Sequence, residues 1–575
     1  MPTVTIDGKE IEFEGKHTLL QFALDHGIEI PYFCYHPAMS SPTNCRMCLV
    51  EVGNHARDRA TGEYQYDEEG NPVIMWGRKP NTACNTPVGN KMYVKTHRTS
   101  ETIATAQKGV LEYMLINHPL DCPICDQAGE CPLQIWTYKY GPEGSRHEVT
   151  KGHKNKHVEL GPQVVLDEER CINCTRCTRF TEEISGTSQL SIVGRGEKNR
   201  PGTAPGEVFD DPYSMNTIDI CPVGALTSKQ HRFQARVWEM AHAPAIDMND
   251  STGTNIFVWI RDNKVLRLTP RANVEINDYW MPDAHRLNVD YYNEMRASGV
   301  KLKGDIPVEF EDGIRQAAEA ISNHTGGFIF LGSPYESLES NFALRQLAAS
   351  LGQDTVYYLP HVVAGHGDDW LISDDRTPNA AACELLGFKP ISAETLTSLL
   401  ADQKDPLVYS LENRYAISQA GKDMATNTVI VHATHVHEAH EQFEYVLPAA
   451  IDIEGEGIYI NHKGHAQVSV LAKQIKRMSP QQWMQLPKSR LDKGAVAVDN
   501  WRDLEHIFDV LPSWQMISMI SAHLGTDLGY THHKDIFANV QAEFDLLKDL
   551  KVSYRPPKSA FKQTQLDFAP SWGSR

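Results

Sequence analysis

The sequence predicts a multidomain chain of mixed α+β and α/β class. Three observations predict it. Eleven of the 12 cysteines fall before residue 222, leaving only Cys383 after it. Short strand patterns broken by turns surround those cysteines. After about residue 300, buried-strand runs alternate with helical runs, the pattern of a largely parallel sheet. A length of 575 residues suggests roughly three to five domains, and a hydrophobic content of 41% is enough for several packed cores.

Several classes are excluded at this level. A formal net charge of -19 argues against nucleic acid as a partner. No run approaches the ~18 consecutive apolar residues of a membrane span, and no secretory leader is expected. A disulfide framework belongs to small secreted domains, so eleven clustered thiols in a reducing compartment read as metal ligands.

Residues 2–13 predict a β-hairpin. Val4 and Ile6 alternate with polar residues, Asp7-Gly8 is a two-residue turn, and Ile11 and Phe13 resume the alternation. A helix follows from the N-cap Thr18 to about His26 and stops at Gly27. Ile28 and Ile30 begin a further extended piece. This order resembles the β-grasp of plant-type ferredoxins. Cys34, Cys45, Cys48 and Cys84 then form a candidate 2Fe–2S ligand set, with a longer first gap than the plant-type spacing. Residues 53–80 read as a polar surface hairpin inserted between those ligands, and four-cysteine zinc is the alternative occupant.

Residues 99–117 predict a helix delivering His118, Cys122, Cys125 and Cys131 in the pattern H-x3-C-x2-C-x5-C. That set can hold zinc, or a 4Fe–4S cube in which one imidazole replaces a thiolate. Cys171, Cys174 and Cys177 stand three residues apart within Asp167–Arg179, a spacing that folds one loop around a face of a cube. Position 181 is Thr, so the local run is not completed. The following Cys-Pro, Cys221-Pro222, supplies a distant fourth ligand. Residues 194–213 read as a surface loop in which Arg195 and Arg200 are solvated.

Residues 256–269 predict two strands joined at Asp262-Asn263. Phe328–Leu331 and Thr428–Val431 predict buried strands, and 336–351 predicts a helix ending near Gly352. The histidines His432, His435, His437 and His440 follow a strand and read as surface residues, one position short of a zinc-binding H-E-x-x-H. Gly194 and Gly196 begin no complete dinucleotide fingerprint, so neither NAD nor FMN is expected on this chain. Cys383 reads as a buried small hydrophobe in a helix.

Four segments carry a family resemblance: Cys45–Val52, His118–Cys125, Arg170–Cys177 and Asp219–Leu226. In this order they resemble the large iron–sulfur subunit of respiratory complex I, the G-subunit family of NADH–quinone oxidoreductase. Glu444–Ala450, with Gly455 and Asn461, is similar to the molybdopterin-oxidoreductase-like domain of that family. The resemblance implies one 2Fe–2S cluster and two 4Fe–4S clusters on the three ligand sets above. It implies a 2Fe–2S ferredoxin-type domain at 1–98, a 4Fe–4S domain at 99–140 and a 4Fe–4S ferredoxin-like domain at 141–234. Beyond these it implies a ligand-free Mo/W-type cluster domain at 235–295 and a degenerate molybdopterin-oxidoreductase-like scaffold at 296–575.

The implied role is an electron wire from an NADH/flavin subunit towards quinone, without a catalytic residue of its own, in a complex that translocates protons. The implied partners are that flavin subunit, a small 2Fe–2S subunit and the quinone-site subunits. The implied location is peripheral, on the cytoplasmic side of a bacterial inner membrane. Some relatives carry an extra four-cysteine cube just after residue 240. Here that stretch lacks cysteine, so the cube is expected to be absent, and molybdopterin with it.

Overall fold

The computed structural model describes residues 1–148, 150–489 and 506–547. It divides into two units, Met1–Val237 and a second beginning at Trp238. No helix among the described residues is long and apolar enough to cross a membrane.

The first unit opens with the expected hairpin. Thr3–Ile6 pairs antiparallel with Lys9–Glu12, with Val4 opposite Ile11. Asp7 and Gly8 both take positive φ, as such a tight turn requires. Thr3–Ile6 also lies parallel to Met92–Lys95, which runs antiparallel to Leu49–His55. The helix Leu19–Asp25 packs Leu19, Leu20, Phe22 and Ala23 inward, and Thr18 Oγ1 accepts the Gln21 amide at its start. Ile28 and Ile30 are buried but join no strand. Their apolarity serves core packing rather than sheet pairing, which corrects the extended piece expected there.

Residues 53–80 do form a hairpin. Its stem pairs Gly53 with Trp76 and His55 with Ile74. The helix Glu101–Leu115 begins at the expected place, where the Ser100 hydroxyl accepts the Ile103 amide. Residues 194–213 are not simply a surface loop. Arg200–Gly202 pairs with Ser191–Val193, and Phe209 is fully buried. One apolar core including Phe33, Met47, Leu133, Trp136, Leu166 and Leu226 runs beneath all three cysteine-bearing regions.

The second unit begins with an antiparallel three-stranded sheet, Ala241–Ile246, Asn255–Arg261 and Lys264–Pro270. Its second turn uses Asp262 and Asn263, both at positive φ. An eight-stranded sheet follows. Six of its strands run in the spatial order Lys389–Pro390, Val356–Tyr358, Phe328–Leu331, Leu407–Ser410, Thr428–Ala433 and Tyr445–Pro448, all mutually parallel. In chain order that is 3-2-1-4-5-6, so the order in which strands are added reverses between Phe328–Leu331 and Leu407–Ser410.

Period-2 alternation decides which helices cover which face. Phe330, Leu407, Tyr409 and Ile430 join one core with the helices Phe310–Asn323, Leu338–Ser350 and Ser513–His523. Ile329, Leu331, Val408, Val429 and Val431 join the other, with Leu396, Leu400, Ile417 and Ala420. Cys383 is buried in the helix Ala380–Leu385, as expected.

Candidate iron–sulfur centres

The structure gathers Cys34, Cys45, Cys48 and Cys84 into one group of thiols. Hydrogen bonds from Cys45 and Cys84 pull the Cys34 thiol down to about 2. The same contacts push Cys45 and Cys84 up, while a hydrogen bond from Cys84 lowers Cys48. The four thiols thus share hydrogen bonds and compete for protons, an arrangement that a bound cation relieves. Arg46, between Cys45 and Cys48, takes positive φ and curls the loop around the thiols.

Cys171, Cys174, Cys177 and Cys221 form a second group in mutual electrostatic range. Burial raises all four thiols, Cys171 to about 12 and Cys174 to about 11. Asn173 and Thr175 take positive φ, and the Asn173 amide donates to Cys171 Sγ at 3.4 Å. A backbone turned this way directs amide hydrogens at sulfur, the hydrogen bonding that tunes a cluster.

Cys122, Cys125 and Cys131 are also mutual neighbours, with burial pushing Cys131 to about 12. Burial, then the Arg170 charge, lowers the His118 imidazole to about 4, so it is neutral and able to ligate. Its Nδ1 is buried without a hydrogen-bond partner. The Arg170 charge also reaches Cys125. A cleft of about 510 Å³ is lined by one residue of each set: Cys45, His118 and Cys171. Close-set thiols, most of them raised by burial, together with an orphaned imidazole nitrogen, fit iron–sulfur ligation.

Three arginines of the Asp167–Arg179 stretch tie the sets together, a role not legible in the sequence pattern. Arg176 donates to Ile220 O at 2.9 Å and to Tyr35 O. Arg179 donates to Cys34 O and Ser40 O. Arg170 pairs with Asp167 at 3.2 Å and Asp121 at 3.0 Å. All three are buried. Their placement within the cysteine run is the one sequence signal that marks them. Of the two loop arginines expected in solvent, Arg195 is exposed. Arg200 is half-buried and pairs with Glu168 at 2.8 Å, because its strand holds it against that carboxylate.

His432, His435, His437 and His440 are buried or half-buried rather than surface residues. His432 lies within its strand, fully buried, bonded through Nε2 to the Tyr409 hydroxyl at 2.9 Å. His435, His437 and His440 line a cavity. They follow a strand whose end points into the fold rather than into solvent.

A ferredoxin-type sheet followed by cysteine loops on one core defines an iron–sulfur protein of the electron-transfer class. Family models agree. Residues 1–99 match a 2Fe-2S iron-sulfur cluster binding domain, and 107–146 the NADH-ubiquinone oxidoreductase-G iron-sulfur binding region. Residues 161–227 match the ferredoxin-like domain of NADH-quinone oxidoreductase subunit 3. Residues 240–290 match a NADH-ubiquinone oxidoreductase NDSU1/NuoG-like 4Fe-4S domain, although they contain no cysteine.

The NADH-quinone oxidoreductase G subunit of Rickettsia bellii is 30% identical over 99% of this chain and 79% of its own length. That of Rickettsia conorii is 33% identical over 82% and 69%. The NADH-ubiquinone oxidoreductase 75 kDa subunit of Reclinomonas americana is 41% identical over 53% and 40%. A chain of a NAD+-reducing NiFe-hydrogenase is 28% identical over 41% of this chain and 91% of its own, with a TM-score of 0.34, too low to show a shared fold. The chain belongs to the G-subunit family of NADH-quinone oxidoreductase, whose members are electron-transfer subunits of an oxidoreductase complex.

Proposed function

We propose that this chain carries electrons from a flavin-bearing NADH-oxidising subunit towards quinone, through three clusters. Cys34, Cys45, Cys48 and Cys84 hold a 2Fe–2S cluster. His118, Cys122, Cys125 and Cys131 hold one 4Fe–4S cluster; Cys171, Cys174, Cys177 and Cys221 hold the other. The observation that carries this reading is the grouping of the three thiol sets on one core in a chain of this family. Bound clusters supply one-electron carriers. The chain's own residues hold them, exclude water and set their charge environment. Arg170, Arg176 and Arg179 place fixed positive charge beside the thiolates, and the neutral His118 removes one negative charge from its set.

The domain limits read from the sequence, 1–98, 99–140, 141–234, 235–295 and 296–575, form part of this proposal. Its last two domains are a ligand-free cluster domain and a molybdopterin-oxidoreductase-like scaffold that holds no molybdopterin. The remaining partners are the small 2Fe–2S subunit and the quinone-site subunits of a proton-translocating complex, peripheral to the cytoplasmic face of a bacterial inner membrane.

The test is Cys174→Ala in the assembled complex. One cube is lost and NADH-to-quinone flow stops, while NADH oxidation by small artificial acceptors at the flavin persists. Unchanged quinone reduction would falsify the wire.

A further inference from the structure

The second unit holds a cavity of about 460 Å³ that cluster binding does not use. Part of its wall comes from segments that follow the carboxyl ends of adjacent parallel strands. Tyr335 follows Phe328–Leu331, His361 follows Val356–Tyr358, Arg414 and Tyr415 follow Leu407–Ser410, and His435 follows Thr428–Ala433. The strand order reverses between the first and third of these. In open parallel sheets, the crevice beyond the carboxyl ends at such a reversal is where ligands sit.

The walls combine flat rings with positive charge. His361 stacks on Tyr415 at 4.1 Å and 7°, and Tyr335 Oη meets His361 Nδ1 at 3.2 Å. Tyr291 stacks on His435 at 4.9 Å and 25°. The Arg414 guanidinium lies 4.9 Å from the Tyr291 ring centre and 5.2 Å from that of Tyr335. Arg376 adds a second guanidinium. One carboxylate, Glu412, lines the same space. Its Oε1 pairs with Arg414 Nε at 3.1 Å and its Oε2 accepts the Thr434 amide at 2.8 Å, so two guanidiniums against one carboxylate leave the cavity a net positive charge.

A second observation narrows the ligand. In a dinucleotide site, the pyrophosphate rests on the helix that follows the first strand. Here the start of that helix, Leu338–Ser350, carries two buried carboxyls, Glu336 and Glu339. Glu336 accepts the Ser513 hydroxyl at 2.6 Å, and Glu339 the Ile458 amide at 2.9 Å. Side chains already bonded within the fold fill that seat and leave no open donors there for a phosphate. The remaining anion seat is the pair Arg376 and Arg414, beside the stacked rings.

We propose that this cavity binds a nucleoside mono- or diphosphate, its base against the Tyr and His rings and its phosphate on Arg376 and Arg414. Planar base and bidentate phosphate are the two chemistries that rings and guanidinium forks recognise. The proposal is independent of the cluster assignment, because every residue it uses lies after Trp238.

The test is equilibrium binding of ADP to the isolated, cluster-loaded full chain, away from nucleotide sites on other subunits. One ADP per chain is expected, with adenosine and inorganic phosphate each at least about tenfold weaker. Arg376→Gln and Arg414→Gln should each weaken ADP at least about tenfold, with Arg376→Lys retaining part of the affinity. Arg414→Gln leaves Glu412 buried without its partner and can unfold the unit. In that case the half-exposed Arg376 carries the comparison, together with photolabelling by 8-azido-ADP, which should mark peptides containing Tyr335, His361 or Tyr415. Absence of saturation at millimolar ADP, equal binding by wild type and Arg376→Gln, or phosphate bound as tightly as ADP overturns the proposal.

Discussion

Gly224 lies against the sulfur of Cys125: a first side-chain carbon built on Gly224 would overlap Cys125 Sγ and stand 3.0 Å from Gln127 Cβ. The loop that carries Cys221 therefore packs on a thiol of another set. Pro222 O also accepts from Cys131 Sγ at 3.7 Å. The Cys221–Gly224 segment is a shared wall between two sets of thiols, and glycine is the residue that lets the wall close.

Gly224→Ala tests that wall. The methyl group has no flexible neighbour to displace except the Cys125 thiol itself. Iron and acid-labile sulfide per chain, measured on anaerobically purified protein, should fall from about ten to about six, as one cube is lost. The 2Fe–2S signal in electron paramagnetic resonance should persist. A full complement of iron in the variant would show that the wall is slack.

His118→Cys separates a ligating histidine from a structural one. A fourth thiolate adds a negative charge to the ligand set, so the potential of that cube should fall while iron content is kept. Potentiometric titration reads it. An unchanged potential would place His118 outside the ligand set.

Arg179→Leu removes the donor to Cys34 O and Ser40 O. Two acceptors are left without their charged partner, a cost of about 3 kcal/mol. The 2Fe–2S absorbance should therefore bleach at a lower denaturant concentration than in wild type, ahead of both cubes. Simultaneous loss of all clusters, at the wild-type midpoint, would mean that Arg179 does not hold this loop.

Stability should fall as pH rises through neutrality. Burial, reinforced by Glu454, raises Asp452 to about 8, and neither of its oxygens has a hydrogen-bond partner among the described residues. Burial raises Glu336 and Glu339 to about 7. In all three the folded value exceeds the unfolded one, so the folded state binds more protons between about pH 4 and pH 8. Their contribution is fully present below the unfolded pKa and is lost as pH rises through the folded values. The calorimetric transition of the second unit should move down by on the order of 5 °C between pH 6 and pH 9. Asp452→Asn should flatten that slope, and a pH-independent transition in wild type would refute the assignment. Glu454 acts oppositely: burial pushes it up, but Arg296 at 2.6 Å holds it down, so its contribution is lost only in acid.

The local pieces are legible in the chain of residues alone. The Asp7-Gly8 turn, the Thr18 and Ser100 caps and the parallel strands around Phe328–Leu331 follow from short-range rules, because a turn or cap is decided by a few neighbouring residues. The grouping of cysteines was legible for the same reason, since spacing within a loop limits which thiols can converge. What crosses between loops depends on packing in three dimensions. That Arg176 and Arg179 reach Tyr35 and Cys34, that Gly224 closes on Cys125, and that His435 and Arg414 face one cavity are contacts between residues far apart in sequence. Ile28–Ile30 shows the limit in reverse. Two isoleucines two apart satisfy the pattern of a strand, but without a neighbouring strand edge to pair with, their burial is met by packing alone.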